Sequence, residues 1–303
     1  MIAQQIWDEI RELQGIGTPD AMRVAAELSL AAEQGTGDEY FYKIVWYSDK
    51  CGGRLVRFKH DPRHKRLPFD EEETAEKEEI AVDVRLAASM SRTKRRIFEI
   101  AACNPWQWFF TGTLDGEKVD RNSLDSTYKR ISQYFRDFRK IHSGSPLRYL
   151  IIPEQHKDGA WHFHGLIDGL SVDELHKFTL DEVLPDRIRK TISEGTEVYT
   201  WCGYAERFGY STLTAVRDEK AVSRYVTKYI TKDLLNRHEQ GKKLYYSSRG
   251  LNKPTVIAEG MSSAPVPLSD FENDWVALTQ IESAVECEMF HKQLFTKNSY
   301  LSC

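Results

Sequence analysis

Two histidines one residue apart, His162 and His164, lie in the segment Trp161-His162-Phe163-His164-Gly165. The segment is typical of a β-strand, in which successive side chains point to opposite faces. The two imidazoles therefore share one face, and their aromatic neighbours point into a core. Two imidazoles held on a rigid sheet can form half of a metal site, or they can hydrogen-bond in a polar groove without binding metal.

The strand before the histidines ends with Pro153-Glu154-Gln155-His156, and Lys157-Asp158-Gly159 is typical of a hairpin turn. If an odd number of residues closes this hairpin, Glu154 and His156 lie on the face of the two histidines. A carboxylate beside two imidazoles suits a divalent ion that keeps open positions for substrate oxygens.

A second segment places Tyr225 and Tyr229 four residues apart, with Lys228 and Lys232 nearby. Helical spacing puts both tyrosines between the lysines and an apolar stripe of Val222, Val226, Ile230 and Leu234. A tyrosine hydroxyl has a pKa of about 10 and is a poor nucleophile unless a nearby cation or metal stabilises the phenolate. Lys228 could supply that charge. The alternative is that the tyrosines are edges of the core and the lysines a solvated face.

The order of the strands and helices predicted around these segments indicates an α+β fold, with one antiparallel sheet and helices on one face. Strands are predicted at 39–47, 54–58, 106–114, 147–156, 160–168, 197–201 and 211–216. Helices are predicted at 1–35, 120–142 and 218–237, with a short helix after Ser171. The pattern divides the chain into a smaller N-terminal α/β region (1–91), a domain at 92–260 and a C-terminal tail at 261–303, predicted to be helical.

The charge balance limits how the chain can use DNA. Among 303 residues, 42 are Lys or Arg and 46 are Asp or Glu, which gives a net charge of −4. Such a chain does not coat DNA through bulk positive charge, because that mode neutralises many phosphates. Residues 217–243 are nevertheless locally basic and contain aromatic residues, as sites for single strands do.

Composition narrows the remaining classes. The five cysteines are scattered without a Cys-x-x-Cys pair, which argues against a zinc ribbon or a disulfide framework. No apolar run is long enough to cross a membrane, and the first residues do not resemble a secretory signal. We therefore expect a cytoplasmic protein with no membrane association.

Three motifs occur in a characteristic order: Phe109-x-Thr111-x-Thr113, then His162-Phe163-His164, then Tyr225-x-x-Lys228-Tyr229. This order resembles the HUH endonucleases, in particular the two-tyrosine rolling-circle replication initiator (Rep) proteins of bacterial plasmids and single-stranded DNA phages. The resemblance covers roughly residues 92–257, and Gly112 stands where the family usually has an aliphatic residue. It implies a domain of the RRM/ferredoxin-like HUH nuclease fold.

The resemblance also implies an activity and its residues. It implies a site-specific single-stranded DNA endonuclease and ligase that initiates and terminates rolling-circle replication through a 5′-phosphotyrosine. His162 and His164 would hold Mg²⁺ or Mn²⁺, with Glu154 as the first choice of third ligand and His156 as the second. Tyr225, paired with Lys228, would make the first nick, and Tyr229 the second.

We expect DNA contacts from Arg224, Lys232 and Arg249. The implied partners are single-stranded DNA at a replication origin, as a hairpin, and a host helicase and polymerase in the bacterial cytoplasm. An HUH-type transposase or relaxase is an alternative, although a relaxase usually places its tyrosines before its histidines. Two alternatives of other classes are a simple metal-dependent hydrolase and a non-catalytic RRM-like nucleic-acid-binding module.

Overall fold

The computed structural model describes residues 39–59, 62, 75–142, 147–230, 243–264, 269–272 and 276–295, with side chains of the first helix described from residue 89. The predicted helix at 1–35 lies outside these residues, as does Lys232. The chain divides into two compact units: the terminal unit contains residues 1–72 and 253–303, and the central unit contains residues 73–252.

In the described residues the strands are β1 (Tyr40–Ser48), β2 (Gly52–Phe58), β3 (Trp108–Thr113), β4 (Arg148–Gln155), β5 (Trp161–Asp168), β6 (Leu175–Lys177), β7 (Tyr199–Trp201), β8 (Ser211–Ala215), β9 (Tyr246–Ser247), β10 (Thr255–Ser262), β11 (Phe271–Glu272) and β12 (Val276–Ile281). The α-helices are α1 (Ala75–Ala102), α2 (Leu124–Ile141), α3 (Asp186–Ser193), α4 (Cys202–Phe208), α5 (Glu219–Tyr225) and α6 (Ala284–Phe295). Two 3₁₀ turns are formed by Val172–Glu174 and Val226–Tyr229.

The terminal unit contains a five-stranded antiparallel sheet in the order β10-β1-β2-β12-β11. Ile44 and Trp46 on β1 pack with Phe290 of α6 in its core. The helical prediction for 261–303 is correct for α6 and wrong for β11 and β12. β12 pairs along the length of β2, and this pairing satisfies the backbone groups that a helix would otherwise satisfy internally.

The central unit contains a seven-stranded sheet in the order β6-β7-β8-β3-β5-β4-β9, with antiparallel pairing. The predicted α+β class is thus confirmed. One face packs against α2, whose Phe135 contacts Tyr149 of β4 and Trp201 of β7. The 3₁₀ turn at Val226–Tyr229 contacts β4 and β5, and α1 packs against this turn and α5. His164 contacts this turn on the face opposite to the one that α2 covers, so the prediction of helices on one face only is wrong: helical elements lie on both faces of the sheet.

The units divide the chain differently from the boundaries predicted at 91/92 and 260/261. Helix α1 crosses the first boundary without a break, and its packing against α5 assigns it to the central unit. Strand β10 crosses the second, and its pairing with β1 assigns it to the terminal unit. In the described part of the chain, no helix combines the length and the apolar character needed to span a bilayer.

Two glycines permit close approaches around the central strands. A Cβ on Gly165 would lie 1.9 Å from the carbonyl oxygen of Leu150, so β5 and β4 can pair closely only with glycine at this position. A Cβ on Gly112 would lie 2.5 Å from the hydroxyl oxygen of Tyr204, which is completely buried. The ring of Tyr204 therefore occupies the space that the usual aliphatic residue would need.

Candidate active site

The two histidines of β5 lie on one face of the central sheet, as predicted. Trp161 and Phe163 alternate with them and are buried, whereas His162 and His164 are partly exposed. The hairpin between β4 and β5 is closed by an odd number of residues, 156–160, and Glu154 pairs directly with His162. The predicted shared face of Glu154 and the histidines is therefore confirmed.

The threonines of β3 orient both imidazoles. Thr111 and Thr113 pair with His164 and His162 across β3 and β5. The Oγ1 of Thr111 is 3.2 Å from Nδ1 of His164, and the Oγ1 of Thr113 is 3.3 Å from Nδ1 of His162. Because a hydroxyl contacts the Nδ1 of each ring, a metal ion would approach each ring at its Nε2, which in His164 contacts Glu154.

The two candidates for a third ligand occupy different places. Oε2 of Glu154 is 2.8 Å from Nε2 of His164 and 3.9 Å from Nε2 of His156. The ring of His156 is stacked on that of His162, with centroids 3.6 Å apart and planes 2° apart. Glu154 thus contacts His164, whereas the ring of His156 stacks on that of His162.

Both imidazoles are neutral at physiological pH. Burial, together with the neighbouring His156, lowers the pKa of His162 and of His164 to about 4. A neutral imidazole has a free lone pair for coordination, whereas an imidazolium has none. The donor chemistry therefore fits a divalent ion.

The positions of the donors are those of a hydrogen-bonded cluster. Among the residues that the structure describes, no group of three or more His, Cys, Asp or Glu side chains is arranged so that it could hold a metal ion. The donors contact one another instead, since Glu154 contacts His164 and His156 stacks on His162. Metal binding here remains a proposal that rests on the donor chemistry.

The tyrosine segment begins as an α-helix and ends as a 3₁₀ turn. Asp218 caps α5, because its side chain accepts a hydrogen bond from the backbone N–H of Ala221 at 2.8 Å. The α-helix ends at Tyr225, the turn continues to Tyr229, and Ile230 is extended. The predicted continuation to Arg237 lies beyond residue 230, outside the described residues.

The two tyrosines have different surroundings. Tyr225 is 44% exposed, and its ring meets that of Phe109 edge to face at 5.4 Å and 73°. Tyr229 is 8% exposed, and its ring lies flat on that of His164 at 4.1 Å. The two tyrosine rings are 6.0 Å apart and nearly perpendicular. The ring of Tyr229 is therefore buried against the sheet, whereas that of Tyr225 is exposed.

Lys228 lies over both rings instead of on the opposite flank of the helix. Its Nζ is 3.5 Å from the ring centroid of Tyr225 and 4.9 Å from that of Tyr229. Although burial opposes ionisation of Tyr225, its hydrogen bonds with Lys228 and Tyr229 and the charge of Lys228 lower its pKa below 10. Burial and the hydrogen bond to Tyr225 raise the pKa of Tyr229. Tyr225 is thus the more readily ionised of the pair.

One basic residue near the site was missed by the sequence reasoning. Arg187, in the first turn of α3, is exposed, and its charge contributes to the lowered pKa of His164 and of Tyr225 and acts against the raised pKa of Tyr229. The helical spacing of Ile188 and Ile192 could have indicated α3, but no sequence signal relates this helix to the tyrosines.

The predicted DNA contacts are not all at the tyrosines. Arg224 directly precedes Tyr225 in α5 and is exposed. Arg249 follows β9 and is exposed. Its neighbour Ser248 forms hydrogen bonds with the backbone of Tyr149 on β4. Tyr149 and Glu154 are five positions apart on β4, which corresponds to roughly 17 Å. Arg249 therefore lies beside the opposite end of β4 from Glu154.

Residues 107–234 match the model of a family described as Replication-associated protein ORF2. The matched segment contains β3, β5 and the tyrosine segment, and so all three motifs. No curated protein and no solved structure matches the chain. The family match supports a Rep-like protein with a role in the initiation of DNA replication.

Proposed function

We propose that the chain is a site-specific single-stranded DNA endonuclease and ligase that nicks an origin to initiate and terminate rolling-circle replication. The observation that carries this proposal is the pair of unequal tyrosines beside the histidine face. Tyr225 is exposed with a lowered pKa, and Tyr229 contacts His164. A structural tyrosine needs neither a cation over its ring nor a position beside two neutral imidazoles.

The proposed first cleavage uses Tyr225 as the nucleophile. Its Oη attacks the scissile phosphorus, so that an O–P bond to tyrosine forms and the bond to the 3′ oxygen breaks. The hydroxyl proton passes to solvent, and the leaving 3′ oxygen takes up a proton from water. The products are a 5′-phosphotyrosine and a free 3′-OH, and attack by a 3′-OH in the reverse direction rejoins the strand.

The other residues of the site have supporting roles in this proposal. Lys228 stabilises the phenolate of Tyr225 before attack. His162, His164 and Glu154 would hold Mg²⁺ or Mn²⁺, with His156 as the alternative third ligand. When bound there, the ion would polarise the scissile phosphate and offset the charge that develops on its oxygens.

Further parts of the proposal concern partners. Tyr229 would serve the second cleavage while Tyr225 still holds DNA. Arg224, Lys232 and Arg249 would contact the DNA backbone. The free 3′-OH would prime a host polymerase, and a host helicase would unwind the duplex in the cytoplasm of a bacterial host.

The direct test is detection of a covalent adduct of defined polarity. The full chain is incubated with Mn²⁺ and single-stranded hairpin DNA of randomised loop sequence, labelled at either the 3′ or the 5′ end. On a denaturing gel, we expect protein that carries only the 3′ label, because the downstream fragment is retained. Absence of an adduct, or an adduct that persists in the Tyr225→Phe, Tyr229→Phe double variant, would overturn the proposal.

A further inference from the structure

Four contacts around the candidate site form a closed ring that begins and ends on strand β3. Thr111 bonds to His164 at 3.2 Å, and His164 stacks on Tyr229 with centroids 4.1 Å apart. Tyr229 meets Tyr225 at 6.0 Å, and Tyr225 meets Phe109 at 5.4 Å. Since Phe109 and Thr111 are two residues apart on the same strand, one short stretch of β3 holds both the histidine and the exposed tyrosine.

Phe109 is a firm support for the ring of Tyr225. Its backbone pairs with Leu166 on β5 and with Thr214 on β8, so it lies on an interior strand with neighbours on both sides. Its side chain is partly buried and packs against the core. Tyr225, in contrast, is the last residue of α5 and is 44% exposed. The sheet therefore constrains the direction of its ring through Phe109.

Tyr229 does not depend on Phe109 in this way. Its ring is 8% exposed and is held by the stack on His164. Loss of the Phe109 ring would free Tyr225 to change rotamer while Tyr229 kept its main contact. The preference for Tyr225 over Tyr229 as the nucleophile would then be smaller than in the intact protein.

We infer that Phe109 is a positioning residue that directs Tyr225 at the scissile phosphate and so selects Tyr225 over Tyr229 for the first cleavage. This inference rests on the proposed nicking activity. It assigns the Phe of the first motif a role in the choice of nucleophile, which packing of the sheet alone would not require.

The test compares Phe109→Leu with Phe109→Trp, which keeps an aromatic edge without adding a hydroxyl. Phe271→Leu is the matched control, since it makes the same change at an exposed Phe of the terminal unit. For each full-length variant, single-turnover rates are measured against DNA concentration with Mn²⁺. Peptide mapping of the adduct then gives the fraction of DNA attached to each tyrosine.

For Phe109→Leu, we expect the maximal rate to fall about tenfold with little change in half-saturating DNA concentration, because an aromatic contact is lost. The share of adduct on Tyr229 should rise at least threefold. Phe109→Trp should restore most of the rate and the preference for Tyr225, and Phe271→Leu should behave like the unaltered protein. The fraction of adduct on each tyrosine does not depend on how much variant is correctly folded.

The experiment distinguishes failure of the proposed function from failure of the inference about Phe109. If the unaltered protein forms no adduct, the proposed function and this inference fall together. If it forms an adduct and Phe109→Leu leaves the division between the tyrosines unchanged, this inference alone is overturned. A rate loss without a shift in that division would also overturn it, since general loosening of the sheet produces that result.

Discussion

The imidazole of His164 and the phenol of Tyr229 lie face to face, with centroids 4.1 Å apart and planes 4° apart. This stack joins the histidine face of the sheet to the tyrosine segment. One consequence is that Tyr229 is held back from solvent while Tyr225 is presented to it. The two tyrosines of the motif are therefore unequal before any DNA binds.

The first prediction follows from that inequality. Tyr225→Phe should slow formation of the first adduct by more than about a hundredfold, because the exposed nucleophile is lost. Tyr229→Phe should leave the first adduct largely intact and impair strand transfer, which needs a second attack. Denaturing gels measure the first step, and ligation of a second labelled oligonucleotide measures the other. Equal loss of the first adduct in both variants would contradict the assigned order.

A second prediction concerns Lys228 and pH. Its charge and hydrogen bond favour the phenolate of Tyr225, so Lys228→Met should raise the pKa of that hydroxyl. The rate of adduct formation should then reach its plateau at a higher pH than in the unaltered protein. Lys228→Arg keeps the charge and is the control, which should retain most of the original profile. Superimposable profiles for Lys228→Met and the unaltered protein would exclude this role.

The third prediction concerns stability without metal. The pKa of His162 and His164 is about 4 in the folded chain, against an ordinary value of 6.5. Between these values the unfolded chain binds more protons, so the free energy of unfolding should fall as pH decreases from about 6.5 towards 4. Urea unfolding in the presence of a chelator measures this slope.

The variant for that experiment is His162→Gln with His164→Gln, which removes both groups. Its free energy of unfolding should depend less on pH over the same range. His291→Gln on α6 is the matched control for loss of a histidine outside the candidate site, and it should keep the original slope. An unchanged slope in the double variant would show that these two groups do not cause the dependence.

A fourth prediction separates the two candidates for the third metal ligand. Glu154 contacts His164, whereas His156 stacks on His162. Glu154→Gln should weaken Mn²⁺ binding at least tenfold, because a carboxylate donor is lost. His156→Gln should have a smaller effect. Calorimetric titration of the full chain without DNA measures both affinities, and the reverse order would identify His156 as the ligand.

The fifth prediction assigns a role to Arg187. This exposed guanidinium acts electrostatically on His164 and both tyrosines, so it is suited to hold a phosphate beside the scissile one. Arg187→Gln should raise the half-saturating DNA concentration several-fold and reduce its dependence on salt. Arg189→Gln on the same helix is the control. If both variants show the same shift, the effect is one of general charge.

The histidine face was predictable because strand geometry is local. Alternation alone places His162 and His164 on one side, and the length of the hairpin loop adds Glu154. The change of the tyrosine segment from α-helix to 3₁₀ turn was not predictable in this way. Both conformations suit the same residues, and the packing of Val226 and Tyr229 on the sheet decides between them.

Arg187 shows a second limit of sequence reasoning. Ile188 and Ile192 recur at helical spacing in the helix that carries it, but such spacing indicates only the helix and not its relation to the tyrosines. Its electrostatic effect on the tyrosines acts between residues distant in the chain. Such a relation depends on tertiary structure, which neither spacing nor composition records.

The side chain of Tyr204 fills the space in which a side chain at position 112 would lie. A Cβ at 112 would stand 2.5 Å from the hydroxyl oxygen and 2.8 Å from the Cζ of Tyr204. An aliphatic residue at 112 thus needs space from Tyr204 and also from Phe110, whose Cζ would stand 2.7 Å from the same Cβ. In aligned relatives, these two columns should covary inversely in size.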